Sequence, residues 1–243
     1  MATADSTPAS PPEAPEASDV SRMFSRIAHR YDRANRVLSL GRDVGWRQRL
    51  IQRATPQTND VILDVCTGTA ELARDFAHAD PTLTVYGADF ARPMLEVGQT
   101  KLRQRTSASM LLEGDALRLP IADSCADVAS MAFGLRNLAD HRAGIAEMSR
   151  VLRPGGRLLI LEFATPPSPL VRAFYFPYLR YVLPRLGGWI TGDRAAYSYL
   201  DRTIRAFPSP EAISGMMRDA GLTEAAYERL SMGIAVLYRG VKR

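Results

Sequence analysis

Residues Val61 to Ala70 read Val-Ile-Leu-Asp-Val-Cys-Thr-Gly-Thr-Ala, and no other stretch restricts the fold of this chain as strongly. Val61, Ile62, Leu63 and Val65 form a short run of β-favouring apolar residues, the pattern of a strand covered on both faces. A tight turn is expected at Gly68, where a residue without a Cβ bends most freely. Glu71 to Ala77 then has the composition of the opening turns of a helix. A strand that passes through a glycine turn into a helix aims backbone N–H groups and a positive dipole end at one point. Asp64 places a carboxylate beside that point.

Two ligands suit such a turn, a dinucleotide and S-adenosylmethionine. The dinucleotide fingerprint sets glycine at three spaced positions. Here those positions hold Gly68, Ala70 and Ala73, and the Asp64 carboxylate would repel a pyrophosphate. The same carboxylate suits the ammonium of a methionyl group, directly or through water, and favours the nearby sulfonium. A competing structural reading makes Asp64 the cap of the following helix. Two later acids favour the ligand. Thr84 to Asp89 reads as a second strand, and Asp89 lies 19 residues past Ala70. Doubly wound sheets grip a ribose diol with a carboxylate at about this distance, through a charge-assisted pair of hydrogen bonds. A third run, Ser109 to Leu112, leads into Glu113-Gly114-Asp115. Asp115 can accept from the exocyclic amine of adenine, although alone it would read as a solvated turn residue.

The remaining composition narrows the class. With 243 residues the chain is long enough for one domain with a full core. Cys66 and Cys125 have no redox or metal spacing, and His29, His78 and His141 are scattered, so no metal site is expected. Net charge is +5, yet Asp5, Glu13, Glu16 and Asp19 face no Lys or Arg within residues 1–20. The remainder is therefore more basic than the whole and favours an anionic surface, either nucleic acid or a cytoplasmic lipid leaflet. Neither a spanning run of 18 apolar residues nor a secretory leader pattern is present. A cytoplasmic chain, peripheral on the inner membrane face, is the expectation.

Residues 1–20 are rich in Pro, Ala, Ser and Glu and are expected to form a disordered tail, with one domain over 21–243. From Ser21 the pattern is a basic amphipathic helix. Met23, Ile27, Tyr31, Ala34 and Leu38 share a face, and Arg22, Arg26, Arg30, Arg33 and Arg36 are interleaved. Packing on its own domain is favoured over a pure membrane anchor. Strands at 61–65, 83–88, 109–113, 126–133 and 157–163 alternate with helices at 69–78, 93–104 and 140–152, with a turn at Arg153-Pro154-Gly155-Gly156. This alternation argues for an open, mostly parallel α/β sheet with helices on both faces. A helix from Ser209 to Ala220 and two edge strands near 224–230 and 234–241 close the chain. Residues 166–208 interrupt the rhythm with six prolines, nine aromatics and six arginines. So long an insertion reads either as a lid over a large, greasy, ring-bearing substrate or as an ordinary helical cap.

Three stretches together resemble one family, the menaquinone/ubiquinone C-methyltransferases. They are Tyr31-Asp32-Arg33-Ala34-Asn35-Arg36-Val37-Leu38-Ser39-Leu40-Gly41 with Trp46, then Phe133-Gly134-Leu135-Arg136-Asn137, then Arg150 to Ala164. Ala34, Asp43 and Arg153 depart from the family's usual methionine, histidine and lysine. The resemblance implies a class I methyltransferase fold, Rossmann-like, with a seven-stranded sheet. It carries S-adenosylmethionine binding onto Thr69, Asp89, Gly114, Asp115 and Ala132, beside Asp64 and Gly68 from the turn. It also implies C-methylation of a polyprenylated quinol, demethylmenaquinol or a methoxy-benzoquinol. Such a reaction needs a base or a cation near the quinol oxygen. Arg136 and Asn137, just past the fourth strand, are the candidates, with an ion pair to a sheet carboxylate as the competing role for Arg136. Tyr31 and Asp32 are expected to close over the cofactor, and Asp32 is a second candidate for the proton acceptor. A nucleic-acid methyltransferase and a non-enzymatic scaffold are the alternatives. The former is disfavoured because the fourth strand ends Gly-Leu-Arg-Asn rather than in an Asn/Asp-Pro-Pro-aromatic clamp, so no nucleic-acid partner is expected. Monomer and homodimer both remain open.

Overall fold

The computed structural model describes residues 17–103 and 109–243. Residues 1–16, most of the expected tail, lie outside the described residues. Helix α1 (Ala17–Leu38) begins four residues before Ser21 and is followed by α2 (Arg42–Ala54). The α/β alternation then runs β1 (Val61–Val65), α3 (Glu71–Ala79), β2 (Thr84–Asp89), α4 (Arg92–Leu102), β3 (Ser109–Glu113), β4 (Ala126–Ala132), α5 (His141–Val151) and β5 (Leu152–Phe163). The insertion forms α6 (Pro169–Pro177), a π-helical turn (Tyr178–Val182), α7 (Leu183–Thr191) and α8 (Arg194–Ala206). Helix α9 (Pro210–Asp219), β6 (Leu222–Leu230) and β7 (Ala235–Lys242) complete the chain.

The seven strands lie in the order β3-β2-β1-β4-β5-β7-β6. Only β7 is reversed, pairing antiparallel with both β5 and β6. Strand order therefore changes direction at β1, whose neighbours are β2 and β4. In open α/β sheets the crevice at such a point, beyond the carboxyl ends of the strands, is where ligands bind.

Alternation along the strands builds a core on each face. Leu158 and Ile160 of β5 join Leu63, Met131, Ile145, Met148 and Met217 beneath α5 and α9. Leu159 and Leu161 point the other way, into Ile62, Phe76, Val85, Trp46 and Leu50 beneath α2 and α3. Both sides being covered explains why β5 reads as an unbroken apolar run.

Several local expectations hold for clear reasons. Ser209 caps α9 by accepting from the Ala212 N–H, and Pro93 falls in the first turn of α4, where its missing N–H costs nothing. The expected turn at Arg153-Pro154-Gly155-Gly156 is instead the irregular start of β5. Its pairing jumps from Ala126↔Leu152 to Val128↔Arg157, and Gly155 takes a φ of 78°. The chain bulges there without leaving the sheet. Helix α1 lies against α4 and α7 rather than standing free, and Arg26 pairs with Asp193 across that contact at 2.9 Å. Packing on the chain's own domain is thus the arrangement found.

Candidate active site

The crevice at the β1/β4 switch opens into a cavity of about 860 Å³. Ten of the eleven residues expected from sequence line it: Tyr31, Asp32, Asp64, Gly68, Thr69, Asp89, Asp115, Ala132, Arg136 and Asn137. Gly114 does not. A Cβ there would lie 2.7 Å from Pro120 Cδ, and its N–H donates to the Asp89 carbonyl at 3.0 Å, so it packs the turn behind the wall.

The backbone around the first turn is tightly wound. Gly68 has a φ of 55°, and the non-glycine residues Cys66 and Ala70 share the left-handed region at 56° and 61°. Such conformations cost a non-glycine residue about 1 kcal/mol or more and are held by their surroundings. Phe133, at the end of β4, does the same at 59°. Next to the turn, a Cβ on Gly87 would sit 2.6 Å from Leu111 Cδ2 and 2.9 Å from the Thr67 side chain. A side chain there would displace Leu111 and the Thr67 hydroxyl that donates to Asp64.

Three acids line one arm of the cavity. Asp64 accepts from the hydroxyls of Thr67 (2.7 Å) and Ser130 (2.9 Å), while Ala70 occupies the N-cap position of α3. Asp89 fixes the turn, accepting from the N–H groups of Gly68 (2.8 Å) and Ala91 (2.9 Å). Asp115 accepts from the Leu117 N–H at 2.9 Å through Oδ1 and lines the cavity. Among the described residues no Lys or Arg forms an ion pair with any of the three, although Asp64 and Asp89 are buried. Burial pushes the Asp64 carboxyl up to about 7, against the hydrogen bonds from Thr67 and Ser130. Burial raises Asp89 as well. A buried carboxylate without a cationic partner is costly in its charged form, and both acids are raised for that reason.

The rim of this arm is a charge network. Asp32 of α1 accepts from the Thr69 hydroxyl and pairs with Lys101 of α4, which also reaches Glu71 at 2.8 Å. Arg47 joins Asp43 (2.9 Å) and Asp75 (2.7 Å) just behind it. Asp32 therefore ties α1 down over the turn.

The second arm is aromatic with one buried ion pair. Arg136, in a short 3-10 turn (Leu135–Asn137) after β4, pairs with fully buried Glu162 of β5 at 2.8 Å. Glu162 also accepts from the Arg136 N–H at 3.1 Å and the Phe163 N–H at 2.8 Å. The competing role for Arg136 is thus present, and the side chain still lines the cavity with its Nε buried and unpartnered. Burial works against the guanidinium's charge, but the Glu162 carboxylate outweighs it and raises the group above its ordinary value. The Tyr199 hydroxyl donates to Asn137 Oδ1 at 3.2 Å. Tyr175, Tyr178 and Leu183 from the insertion roof this arm, and Phe133 and Phe163 stack beneath at 4.6 Å between centroids. Glu162, Lys101 and Tyr199 were not among the expected site residues. Glu162 alone had a signal, an acid inside the apolar run Leu-Leu-Ile-Leu-Glu-Phe, which demands a buried partner.

A sheet ordered 3-2-1-4-5-7-6 with unpaired acids at its switch point defines a class I S-adenosylmethionine-dependent methyltransferase. Solved structures share the fold. The [4+2]-cyclase SpnF superposes with a TM-score of 0.70 at 15% identity, covering 94% of this chain and 97% of its own. A possible histamine N-methyltransferase of Thermotoga maritima gives 0.64 at 20%, covering 91% and 99%. The protein belongs to the ubiE/COQ5 methyltransferase family, whose profile matches residues 13–242. Demethylmenaquinone methyltransferase of Thermus thermophilus is 45% identical over 90% of this chain and 99% of its own. The protein of the same name in Deinococcus radiodurans is 44% identical over 92% of each.

Proposed function

We propose that the protein methylates a ring carbon of a polyprenylated quinol, taking demethylmenaquinol to menaquinol. The reading is carried by one observation: a single cavity joins an acid-lined arm, suited to a cationic donor, to an aromatic arm containing Arg136. The names of the relatives at 45% and 44% identity support the naphthoquinol ring.

In this reading Asp89 receives the ribose hydroxyls, Asp64 faces the donor's positive charge, and Asp115 accepts from adenine. Gly68 and Thr69 line the turn beneath, and Ala132 walls the arm on the β4 side. S-adenosylmethionine supplies an electrophilic methyl carbon, so the chain's task is alignment, exclusion of water and control of one proton. Arg136 stabilises the phenolate that forms as the quinol hydroxyl loses its proton to water, which raises electron density on the adjacent ring carbon. Glu162 fixes the guanidinium through the ion pair and through the Arg136 N–H. Asn137, held by Tyr199, borders the same oxygen. Tyr31 closes the space between the arms from α1. Asp32, engaged by Lys101 and Thr69, serves as the latch of the donor arm rather than as proton acceptor. The apolar roof takes the first part of the isoprenoid tail, and peripheral contact with the inner leaflet brings that tail within reach.

Radiolabelled methyl transfer tests this with purified protein and short-tailed demethylnaphthoquinol, methoxy-benzoquinol or RNA. Label on the naphthoquinol ring is expected. Label on RNA alone, or on no acceptor despite donor binding, refutes the proposal.

A further inference from the structure

The outer face of the insertion carries large apolar side chains that are exposed among the described residues. Helix α6, the π turn and α7 form one continuous helical run from 169 to 191. Leu170, Phe174, Tyr181, Leu186 and Trp189 recur along it at intervals of three to seven residues, all exposed; Phe174 is 74% and Trp189 86% accessible. Core-facing Tyr175, Leu179 and Leu183 alternate with them and line or back the cavity roof. The run is therefore apolar on both sides, one toward the cavity and one toward the outside. Isolated exposed leucines are ordinary, but a contiguous stripe with aromatic anchors marks an interaction surface.

Charge identifies what the surface meets. Residues 164–192 contain Arg172, Arg180 and Arg185 and no Asp or Glu. Beside the run, the Tyr178 hydroxyl donates to the Leu38 carbonyl at 2.8 Å, tying it to the elbow between α1 and α2. That elbow repeats the pattern. Leu40, 82% exposed with a φ of 54°, projects beside Arg33, Arg36 and Arg42, none of which has an acidic partner among the described residues. Leu40, Arg36 and Tyr178 also line the cavity, so its wall reaches the surface between the two patches. No helix of the described residues is long and apolar enough to cross a membrane. Apolar anchors flanked by arginines without acids are the composition of a surface that lies in a bilayer interface and prefers anionic headgroups.

We infer that the outer face of the 169–191 run, with the α1–α2 elbow, docks on an anionic bilayer and opens the cavity mouth into it. The inference rests on the quinol reading for its purpose and deepens it. A polyprenyl tail can then stay among acyl chains while its ring enters the aromatic arm.

Tryptophan emission reads this directly, because Trp46 is buried and Trp189 is exposed. Full-length protein is mixed with vesicles of phosphatidylcholine alone, or of equal parts phosphatidylcholine and phosphatidylglycerol, and is also sedimented with them. The anionic vesicles are expected to shift emission to the blue and to bind at least about tenfold more protein, an advantage lost in high salt. Phe174→Ser with Trp189→Ser, or Arg185→Glu, is expected to lower binding roughly tenfold or more. None of these residues lines the cavity, so methyl transfer to a short-tailed quinol in solution should be unchanged. Equal binding by wild type and variants, or no anionic preference, overturns the inference. So does a wild-type dimer in the ultracentrifuge that the double variant splits, with no vesicle binding, since a second copy would then cover the face. Vesicle binding without transfer to any quinol upholds the docking surface and refutes the proposed reaction instead.

Discussion

Asp64→Asn is expected to stabilise the ligand-free protein while weakening its hold on the methyl donor. The carboxylate is buried, and its side-chain partners are two hydroxyls, Thr67 and Ser130. Asparagine is isosteric and can keep both contacts, since a hydroxyl either donates or accepts. Burial moves the carboxyl from 3.8 to about 7. A shift of roughly three units at about 1.4 kcal/mol each sets an upper bound of about 4 kcal/mol. The folded state binds this proton more tightly than the unfolded chain. Asp64 therefore costs nothing below about pH 4, where both states are protonated, and its full cost is present above about pH 7. Urea denaturation of ligand-free protein across this range should show wild type losing stability relative to Asp64→Asn by up to about 1.4 kcal/mol per pH unit, then running level. Binding the cationic donor at pH 7 should release about half a proton from wild type and almost none from the variant, read by calorimetry in buffers of different ionisation enthalpy. A stability difference that does not change with pH, or a wild type more stable at pH 8, would refute the reasoning.

Asp89→Asn removes a charge while keeping an acceptor near Gly68, and donor affinity measured by calorimetry should fall roughly 10- to 100-fold; unchanged affinity excludes the ribose role. Arg136→Ala alone would strand Glu162 at a cost of about 3–5 kcal/mol, so the informative variant is Arg136→Gln with Glu162→Gln, which leaves a neutral pair. It should bind the donor normally and lose about 10²- to 10⁴-fold in kcat; a loss of affinity with normal turnover contradicts the assignment. Lys101→Met breaks the contacts with Asp32 and Glu71 that hold α1 over the turn. Stopped-flow should show the donor dissociating several-fold faster with single-turnover methyl transfer unaltered; an unchanged dissociation rate removes the latch.

Much of the donor arm was legible because it is local. Asp64, Gly68 and Thr69 belong to one strand–turn–helix unit, and Asp89 and Asp115 follow strands that the α/β alternation places beside it. Parallel strands present their carboxyl ends along one edge, so an acid after each of three neighbours must reach the same crevice. Bulges were not legible: Pro154 and Gly155 carry the chemistry of a turn, yet the chain pairs with β4 both before them, at Leu152, and after them, from Arg157. The partners missed are those made across long sequence distance. Tyr199 meets Asn137 from 62 residues away and Lys101 meets Asp32 from 69, through helix packing that no periodicity encodes. Glu162 could be flagged as a buried acid, but which of the many arginines it pairs with depends on the adjacency of β4 and β5.

The account's central claim is a division of one cavity between donor and quinol. A crystal structure with S-adenosylhomocysteine and a short-tailed naphthoquinol tests it most directly. The ribose hydroxyls should lie within hydrogen-bond distance of Asp89, and the quinol oxygen should face Arg136 beneath Tyr175 and Tyr199. Ribose density away from the ends of β1 and β2, or a ring bound outside the aromatic arm, would contradict it.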